Sequence, residues 1–334
     1  MTSSRCIPVF EESQVGFARR RLVEICQRSG GDDAFCGKVA IVVTEMARNL
    51  VLHGKGGEII IREAVTATSR ALEMLALDRG PGMRNIAECL RDGFSTAGTA
   101  GIGFGAIKRL SDRFEVFSRP GSGTVIWVRL CPQLDASSAA HAFESSGVSI
   151  AIEREEVCGD AWEVMERAGV LRAMVVDGLG HGLYAGEAAR EAVAVFRSQA
   201  TTGPASTLKL IDQALTKTRG AAGAIVELCP AKRHVTAAGV GNISMRILNN
   251  GQSKSFGCDN GTLGTGVPRI REFTHPLVNG SVLVMHSDGI KAHWNLEDYP
   301  GLTRRHPGVV AGLLYRDFRR ERDDATVMVV CHSI

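Results

Sequence analysis

A stretch of small and polar residues near the middle of the chain limits the architectures open to it. This stretch reads PQLDASSAAHAFESSG and occupies residues 132–147, and apolar segments with strand-like alternation flank it on both sides. The chain has 334 residues, a length that favours two compact units over one at about 150 residues per domain. We therefore predict two domains, 1–132 and 148–334, joined by a linker at 133–147.

Composition places both domains among ordinary folded proteins. Hydrophobic residues make up 44% of the chain, which is enough for packed cores and argues against extensive disorder. The 39 Lys and Arg residues nearly balance the 36 Asp and Glu residues, giving a formal charge of +3. This balance gives no reason to expect a nucleic acid or an acidic membrane as partner.

Cysteine use and the apolar runs indicate the compartment. The nine cysteines are scattered and none forms a C-x-x-C pair, so we expect small buried hydrophobes in a reducing compartment rather than disulfides or zinc sites. The N-terminus, MTSSRCIPVFEESQ, lacks a basic segment followed by an apolar core. No apolar run approaches the roughly 18 residues of a membrane span. We predict a cytoplasmic protein with no membrane partner.

Hydrophobic periodicity predicts an α+β fold. In the first half, helical spacing of apolar residues is followed by strand alternation, without the regular βαβ order of a dinucleotide fold. The predicted elements there are helices at 13–27, 38–52 and 104–111 and strands at 58–65, 71–77, 114–118 and 124–130. The second half has a helix at about 183–197 and strands at 148–152, 173–176, 224–228, 235–238, 244–248, 281–285 and 325–330. Its many strands and few helices predict stacked sheets with helices outside.

Two polar residues stand out on an otherwise apolar helix. Glu45 and Asn49 lie four residues apart on the predicted helix 38–52, so their carboxylate and amide project from one polar stripe. Such a pair on a rigid helix can hold Mg²⁺ through oxygen atoms and orient a hydroxyl group. By itself, the pair is more often an ordinary solvated face.

Two further segments of the first half favour a nucleotide site. Asp78 follows a predicted strand and precedes Gly80 and Gly82, so its carboxylate lies at a strand end where backbone can approach closely. A loop rich in Gly and Thr, residues 95–105, leads into the short predicted helix. The N-terminal amides of such a helix can receive phosphate oxygens.

Taken in order, TEMARNLVLHG, LDRGPGM and STAGTAGIGFGAIKRLSDRFEV resemble the N box, the first glycine box and the ATP lid of the GHKL ATPase family. Within it, they are similar to switch-protein serine kinases of the RsbT/RsbW type. The resemblance implies a GHKL (Bergerat-type) α/β sandwich over roughly residues 10–130 that binds ATP with Mg²⁺. It implies that Glu45 polarises the attacking hydroxyl, Asn49 binds Mg²⁺ and Asp78 contacts the adenine amino group. It further implies that pocket and lid are formed by Gly80, Gly82, Thr99, Gly101, Gly103 and Gly105.

Acidic residues recur beside strands in the second half. Asp177 and Asp288 follow apolar strands and precede glycines, Asp160 follows a Cys-Gly pair, and Asp323 and Asp324 precede the last strand. A single Asp-Gly pair is usually a turn, but four acidic strand ends could converge at one edge of a pair of sheets. Carboxylates gathered there would repel one another unless cations neutralise them. Two divalent ions would do so and would also create a hydroxide nucleophile for attack on a phosphoryl group.

The segments GDAW, VVDGLGHG, HSDGI and RDDAT resemble the PPM-type metal-dependent protein phosphatases, and most closely their SpoIIE/RsbX-like branch. The resemblance implies a PPM-type α/β/β/α sandwich with two Mn²⁺ or Mg²⁺ ions, and Asp177 and Asp288 are expected to be essential for hydrolysis. The implied metal ligands are Asp160, Asp177, Asp288, Asp323 and the carbonyl of Gly178, with Asp324 as the second choice to Asp323.

Four residues in or near these segments call for comment. A side chain in place of Gly178 is expected to crowd the metals. His181 is expected either to act as a general acid or to be a loop histidine bonded to backbone, whereas His286 is expected to be structural. Asn242 stands where the eukaryotic phosphatases often carry an aspartate.

The two resemblances together imply a bifunctional bacterial partner-switching regulator. Its phosphoserine/phosphothreonine phosphatase and its ATP-dependent serine/threonine kinase module would act on STAS-domain antagonist proteins in sigma-factor or stress signalling. The alternative is a phosphatase whose GHKL half only binds a partner in a nucleotide-dependent way, like an anti-sigma factor. A sigma factor or another signalling component is a further expected partner, and a homodimer stays open.

Overall fold

The computed structural model describes residues 4–65, 70–89, 103–132 and 142–332. The chain divides into two compact units, Ser4–Ala139 and Ala140–Ile334. No helix within the described residues has both the length and the apolarity needed to cross a membrane.

The N-terminal unit is a layer of helices on one antiparallel sheet. Its five strands are paired in the order β1-β2-β3-β5-β4. The strands are β1 (Arg5–Val9), β2 (Gly57–Val65), β3 (Arg70–Asp78), β4 (Arg113–Ser118) and β5 (Thr124–Leu130). The helices are α1 (Glu12–Arg28), α2 (Asp33–Leu52), α3 (Ile86–Cys89) and α4 (Gly103–Leu110). This is the α/β sandwich expected from the sequence.

Helix α2 is fixed by a cap and by its apolar side. The Asp32 carboxylate accepts a hydrogen bond from the backbone N–H of Phe35 at 2.7 Å, which stabilises the first turn. Val43 and Met46 are buried in the core shared with the sheet residue Met74. The opposite side of α2, which carries the candidate nucleotide residues, is therefore left facing away from this core.

The C-terminal unit stacks two five-stranded antiparallel sheets. One has the strand order β13-β10-β9-β8-β7 and the other has the order β12-β11-β14-β15-β6. The strands are β6 (Phe143–Ile150), β7 (Asp160–Arg167), β8 (Val170–Gly178), β9 (Ala221–Cys229), β10 (His234–Val240), β11 (Ser244–Asn249), β12 (Gln252–Phe256), β13 (Phe273–Pro276), β14 (Val282–His286) and β15 (Ala325–His332). The helices are α5 (Leu183–Ser198), α6 (Pro204–Ala214) and α7 (Pro307–Phe318).

Alternation along the strands separates two cores of this unit. Val175 of β8 belongs to the core between the sheets, together with Met285 of β14 and Met328 of β15. Its neighbour Val176 points the other way and packs with Ala188 of α5. Helix α7 packs on β6 and β15 of the second sheet. The layer order is therefore α/β/β/α, which confirms the fold expected for the second half.

The structure departs from the sequence prediction at several elements. Residues 143–147, assigned to the linker, belong to β6, because their backbone pairs with residues 328–332 of β15 despite their polar side chains. Helix α7 was not predicted, because it is buried nearly throughout and therefore lacks an amphipathic period. The other elements that were not predicted are β1, α3, β7, α6, β12 and β13.

Candidate functional site

Asp160 and Asp177 meet at one edge of the first sheet. They are register partners on β7 and β8, directly opposite one another. Strand alternation places both on the side of Trp162 and Val175, which is the side facing the second sheet. Asp160 is only 2% exposed, so its carboxylate needs either a proton, a donor or a cation.

A hydroxyl group beside the second sheet donates a hydrogen bond to the carboxylate of Asp160. The Ser287 Oγ donates a hydrogen bond of 2.7 Å to the Asp160 Oδ2. The same Oγ accepts from the backbone N–H of Thr326 at 3.1 Å, and the Thr326 hydroxyl lies 2.6 Å from that of Ser149. Three buried hydroxyls thus bind the first sheet to the second behind the carboxylate and hold its orientation.

Asp288 is placed by a close backbone approach and by an amide. A Cβ on the following residue, Gly289, would overlap the backbone carbonyl oxygen of Asp324, so only glycine allows these segments to lie together. The Asn242 Nδ2 donates a hydrogen bond of 2.8 Å to the Asp288 Oδ2. Asn242 therefore supports a predicted ligand.

The two neighbouring aspartates before β15 have different surroundings. Asp324 accepts hydrogen bonds of 2.6 Å from the backbone N–H groups of both Ile152 and Gly159. Its carboxylate therefore ties down the segment that precedes Asp160. Asp323 is partly exposed and lies within electrostatic range of Asp288. The geometry favours Asp323 over Asp324 as the predicted ligand.

Burial and mutual repulsion show that the four predicted ligands converge. Burial, with Asp160, Asp288 and Asp323 nearby, raises the pKa of Asp177 to about 9. Burial also raises the pKa of Asp160 to about 7. In the segments that the structure describes, no three His, Cys, Asp or Glu side chains form a closed ligand set. The four carboxyl groups are therefore close enough to affect the pKa of Asp177, although they do not surround a single point.

The donor set fits a divalent cation. All four side chains offer carboxylate oxygen, the ligand type preferred by Mg²⁺ and Mn²⁺. Burial is the largest cause of the raised pKa of Asp177, and the charges of Asp160, Asp288 and Asp323 raise it further. A bound cation would remove that repulsion.

Gly178 is required for a different reason from the one expected. A Cβ at this position would overlap the backbone carbonyl of Ala185 in α5, on the outer side of the sheet. Glycine here lets α5 pack directly on the end of β8, and crowding of the metals is not the constraint that the structure shows. The predicted use of the Gly178 carbonyl as a ligand stays a prediction.

The two histidines differ in environment. The His181 Nδ1 lies 2.8 Å from the Glu155 Oε1, so it pairs with a carboxylate rather than with backbone. The His286 Nε2 accepts a hydrogen bond of 3.0 Å from the Trp294 indole N–H. Burial lowers the pKa of His286 to about 4, so this side chain is neutral, in keeping with a structural role.

In the N-terminal unit, Glu45 and Asn49 lie beside the start of α4. A Cβ on Gly103 would lie 2.9 Å from the Glu45 Oε2 and 3.6 Å from the Asn49 Oδ1. Arg48 forms an ion pair with Glu45 at 3.5 Å. The end of the predicted lid thus reaches the polar stripe of α2. Gly105 is buried in α4, whereas Thr99 and Gly101 lie outside the described residues.

The side-chain amide of Asn49 is the second notable feature of this stripe. Its Nδ2 is buried yet has no hydrogen-bond partner among the described residues. A buried amide without a partner costs stability, on the order of 1–3 kcal/mol. A nucleotide phosphate oxygen could accept a hydrogen bond from this Nδ2, whereas Mg²⁺ would bind the Oδ1, so the predicted Mg²⁺ contact of Asn49 stays a prediction.

Asp78 shapes a turn at the end of β3. Its Oδ1 accepts hydrogen bonds from the backbone N–H groups of Gly80, at 2.8 Å, and Thr124, at 3.1 Å. A Cβ on Gly80 would press on the backbone at His53, immediately after α2. Gly82 has a φ of +66°, and a Cβ there would overlap the carbonyl of Arg119. These residues join Asp78 to α2, and the contact of Asp78 with adenine stays a prediction.

Sequence reasoning missed Ser287 and the role of Asn242. Ser287 directly precedes Asp288 in HSDG, and strand alternation would have placed its side chain on the opposite side from that of its neighbour. The hydrogen bond from this hydroxyl to Asp160, 127 residues away along the chain, cannot be predicted from a single sequence.

Comparison with known proteins separates the two units. A family model for the histidine kinase-like ATPase domain matches residues 9–130, and a model for stage II sporulation protein E (SpoIIE) matches residues 167–333. The serine/threonine-protein kinase RsbT of Bacillus subtilis (strain 168) is 31% identical over 133 residues, which are 39% of this chain and 100% of RsbT. The phosphoserine phosphatase RsbX of the same organism is 27% identical over 140 residues, which are 41% of this chain and 70% of RsbX.

One solved structure is also similar to this chain. It is described as the bacterial stressosome, a modular system that has been adapted to control secondary messenger signalling. The similarity extends over 56% of this chain and 98% of that chain, with 30% identity and a TM-score of 0.54.

Proposed function

The chain belongs to the SpoIIE family through its C-terminal half and carries an RsbT-like histidine kinase-like ATPase domain in its N-terminal half; from this we propose that it is a metal-dependent protein phosphatase for phosphoserine and phosphothreonine. Its substrate would be a STAS-domain phosphoprotein of a partner-switching system. The observation that supports this most is the position of Asp177, whose carboxyl lies among Asp160, Asp288 and Asp323.

The proposed reaction is hydrolysis of a phosphate ester. Water adds to phosphorus while the bond to the serine or threonine oxygen breaks, which releases the hydroxyl side chain and inorganic phosphate. Asp160, Asp177, Asp288 and Asp323, with the Gly178 carbonyl, would hold two Mn²⁺ or Mg²⁺ ions. Such ions supply a hydroxide nucleophile at neutral pH and neutralise the phosphoryl group.

The surrounding residues keep these ligands in place. Ser287 holds one Asp160 oxygen by its hydrogen bond, and Asn242 does the same for Asp288. Asp324 fixes the backbone before Asp160. Ligands that are already oriented lose little conformational entropy when a cation binds, so these contacts favour a site that is ready before the substrate arrives.

Phosphate release tests the phosphatase directly. The purified full chain is incubated with a phosphorylated STAS-domain protein in Mn²⁺, in Mg²⁺ and in EDTA. We expect release only with a divalent cation, and a fall of at least about a thousandfold in kcat for Asp177→Asn. The exposed Arg167, at the far end of β7 from Asp160, provides the control Arg167→Ala. Release at the wild-type rate by Asp177→Asn would contradict the proposal.

The N-terminal unit is proposed to be an ATP-dependent kinase for the same class of substrate. Glu45 and Asn49 would act on the hydroxyl and on Mg²⁺, and the unpartnered Asn49 amide supports a ligand there. The second candidate function is nucleotide-dependent binding of a STAS-domain protein or a sigma factor without phosphate transfer. It is favoured by the Arg48–Glu45 ion pair, which engages the carboxylate that catalysis would need.

Labelled ATP distinguishes these two functions. Transfer of label to the STAS-domain protein that is lost in Glu45→Ala supports the kinase. Retention of the partner on the chain in the presence of ATP, without transfer, supports the binding module.

A further inference from the structure

Exposed apolar side chains are concentrated immediately after Asp177. Within the described part of the C-terminal unit, the large apolar side chains that are most exposed are those of Leu179, Leu183, Tyr184 and Leu210. The first three lie within six residues of one another, in the loop after β8 and the first turn of α5, with exposed fractions of 45%, 55% and 59%. Clustered apolar side chains on a surface commonly mark a contact site.

Backbone pairing carries this loop toward the start of β9. Gly178 pairs with Ala221, and the backbone N–H of Leu179 donates a hydrogen bond of 3.0 Å to the carbonyl of Gly220. The backbone segments after β8 and before β9 therefore continue side by side beyond the ends of these strands. This places Arg219 opposite Gly180.

Arg219 is a cation that stacks on one of these side chains, Tyr184. Its Nη1 would lie 3.1 Å from a Cβ on Gly180, and its guanidinium carbon lies 5.0 Å from the centre of the Tyr184 ring. One carboxylate that meets this loop, that of Glu155, is paired with His181. Arg219 itself is exposed and forms no ion pair with any described residue. Stacking on Tyr184 restricts the guanidinium and leaves its N–H donors available.

Strand alternation separates Arg219 from the metal ligands. Asp177 points to the side between the sheets, whereas Gly178 faces α5 on the outer side. Gly180 and Arg219 lie just beyond the ends of β8 and β9, where the Arg219 guanidinium stacks on Tyr184 of α5. Arg219 therefore lies beside the loop that follows Asp177 and is not one of the predicted metal ligands.

We propose that Leu179, Leu183, Tyr184 and Arg219 form a docking rim for the segment of the protein substrate beside its phosphorylated residue. This rim would favour substrates in which an apolar side chain lies next to an acidic one. The exposed side chains of Leu179, Leu183 and Tyr184 would contact the apolar side chain, and the Arg219 guanidinium would pair with the acidic one. Its continuity with the Asp177 loop places such a segment beside the candidate active site. The inference rests on the proposed phosphatase function.

Two phosphoserine peptides test the rim. Both carry leucine beside the phosphoserine, and they differ only in having glutamate or lysine two residues away. With Mn²⁺, we expect the wild-type chain to show a kcat/KM about tenfold higher for the glutamate peptide, mainly through KM. Arg219→Glu is expected to reverse the preference and Arg219→Lys to keep it. Leu183→Ser is expected to raise KM for both peptides.

Controls make each outcome decisive. Hydrolysis of p-nitrophenyl phosphate provides the reference rate for every variant, and Arg167→Ala is the matched control for loss of an exposed arginine. The same peptide preference in the wild-type chain and in Arg219→Glu would overturn the inference while the phosphatase stands. An equal loss for both peptides and p-nitrophenyl phosphate in Arg219→Glu would also overturn it, by placing Arg219 at the phosphoryl group. No hydrolysis of any substrate by the wild-type chain would refute the proposed function itself.

Discussion

The carboxyl groups of Asp160 and Asp177 face one another across neighbouring strands, within hydrogen-bond reach of each other. Asp160 is buried and Asp177 is half-buried, so the two carboxylates repel one another strongly unless a cation lies between or beside them. Without the cation, the pair must retain a proton. Metal binding and proton release at this site are therefore linked.

The first prediction concerns the pH dependence of stability without metal. The folded chain keeps a proton on Asp177 up to its pKa of about 9, whereas an unfolded aspartate loses it near pH 4. The folded state thus binds more protons across this window, so the free energy of unfolding should fall as pH rises. Below about pH 6.5, His286 gives the opposite slope, because its pKa of about 4 lets only the unfolded chain take up a proton.

Urea unfolding at pH 7.0 and 8.5 in EDTA measures this slope above the range of His286. We expect lower stability at pH 8.5 in the wild-type chain and a smaller difference in Asp177→Asn, which has no proton to lose. Addition of Mn²⁺ should raise the wild-type stability at pH 8.5. A stability that is equal or higher at pH 8.5 in EDTA would contradict the assignment.

The second prediction concerns Ser287. Ser287→Ala removes one donor to the Asp160 carboxylate, so that carboxylate should be held less firmly. Loss of such a supporting contact typically weakens metal affinity or activity about 10–100-fold. Isothermal titration with Mn²⁺ and phosphate release measure the two effects. Ser253→Ala, on the exposed strand β12, is the control, and Mn²⁺ affinity equal to that of the control would show that the hydroxyl does not serve the site.

The third prediction distinguishes Asp323 from Asp324. Asp324→Ala removes both acceptors of backbone N–H groups from Ile152 and Gly159, so we expect a loss of about 2–3 kcal/mol in unfolding free energy. Asp323→Asn should keep the stability of the apo chain but weaken Mn²⁺ binding, since it removes a carboxylate that faces Asp288. The two measurements are urea unfolding in EDTA and Mn²⁺ titration. The reverse pattern would make Asp324 the ligand.

The fourth prediction concerns Asn49. Because its Nδ2 has no partner among the described residues, Asn49→Ala should not lower the free energy of unfolding by more than about 1 kcal/mol. ATP affinity in the presence of Mg²⁺ should fall at least about tenfold, as measured by titration with a fluorescent ATP analogue. Lys38→Ala, at an exposed position of the same helix, provides the comparison. Unchanged ATP affinity would remove Asn49 from the site.

Two of the predicted metal ligands could be picked out in the sequence because each marks the end of a strand. Asp177 and Asp288 follow apolar runs, and glycine next to each indicates a tight approach, which the structure explains by the backbone of Ala185 and of Asp324. Strand ends can be found from local pattern alone. The convergence of these ends depends on sheet order, which was inferred only through resemblance.

The supporting contacts were not predictable in the same way. The hydrogen bond from Ser287 to Asp160 and the stacking of Arg219 on Tyr184 join segments that are distant along the chain. Helix α7 was missed because burial on nearly all sides removes the polar stripe by which a helix is recognised. Likewise, β6 begins at Phe143 because pairing with β15 outweighs the low strand propensity of its polar residues.

Each sheet of the C-terminal unit supplies half of the acidic groups, Asp160 and Asp177 from one and Asp288 and Asp323 from beside the other. Cations held by these four carboxylates would link the two sheets at this edge, in addition to the apolar core and the hydrogen bond from Ser287 to Asp160. When the cations dissociate, local opening should increase first at this edge of the two sheets. The amide hydrogen exchange rates at the ends of β7, β8 and β14 should therefore be lower when the cations are bound. This measurement reports cation binding without a phosphorylated substrate.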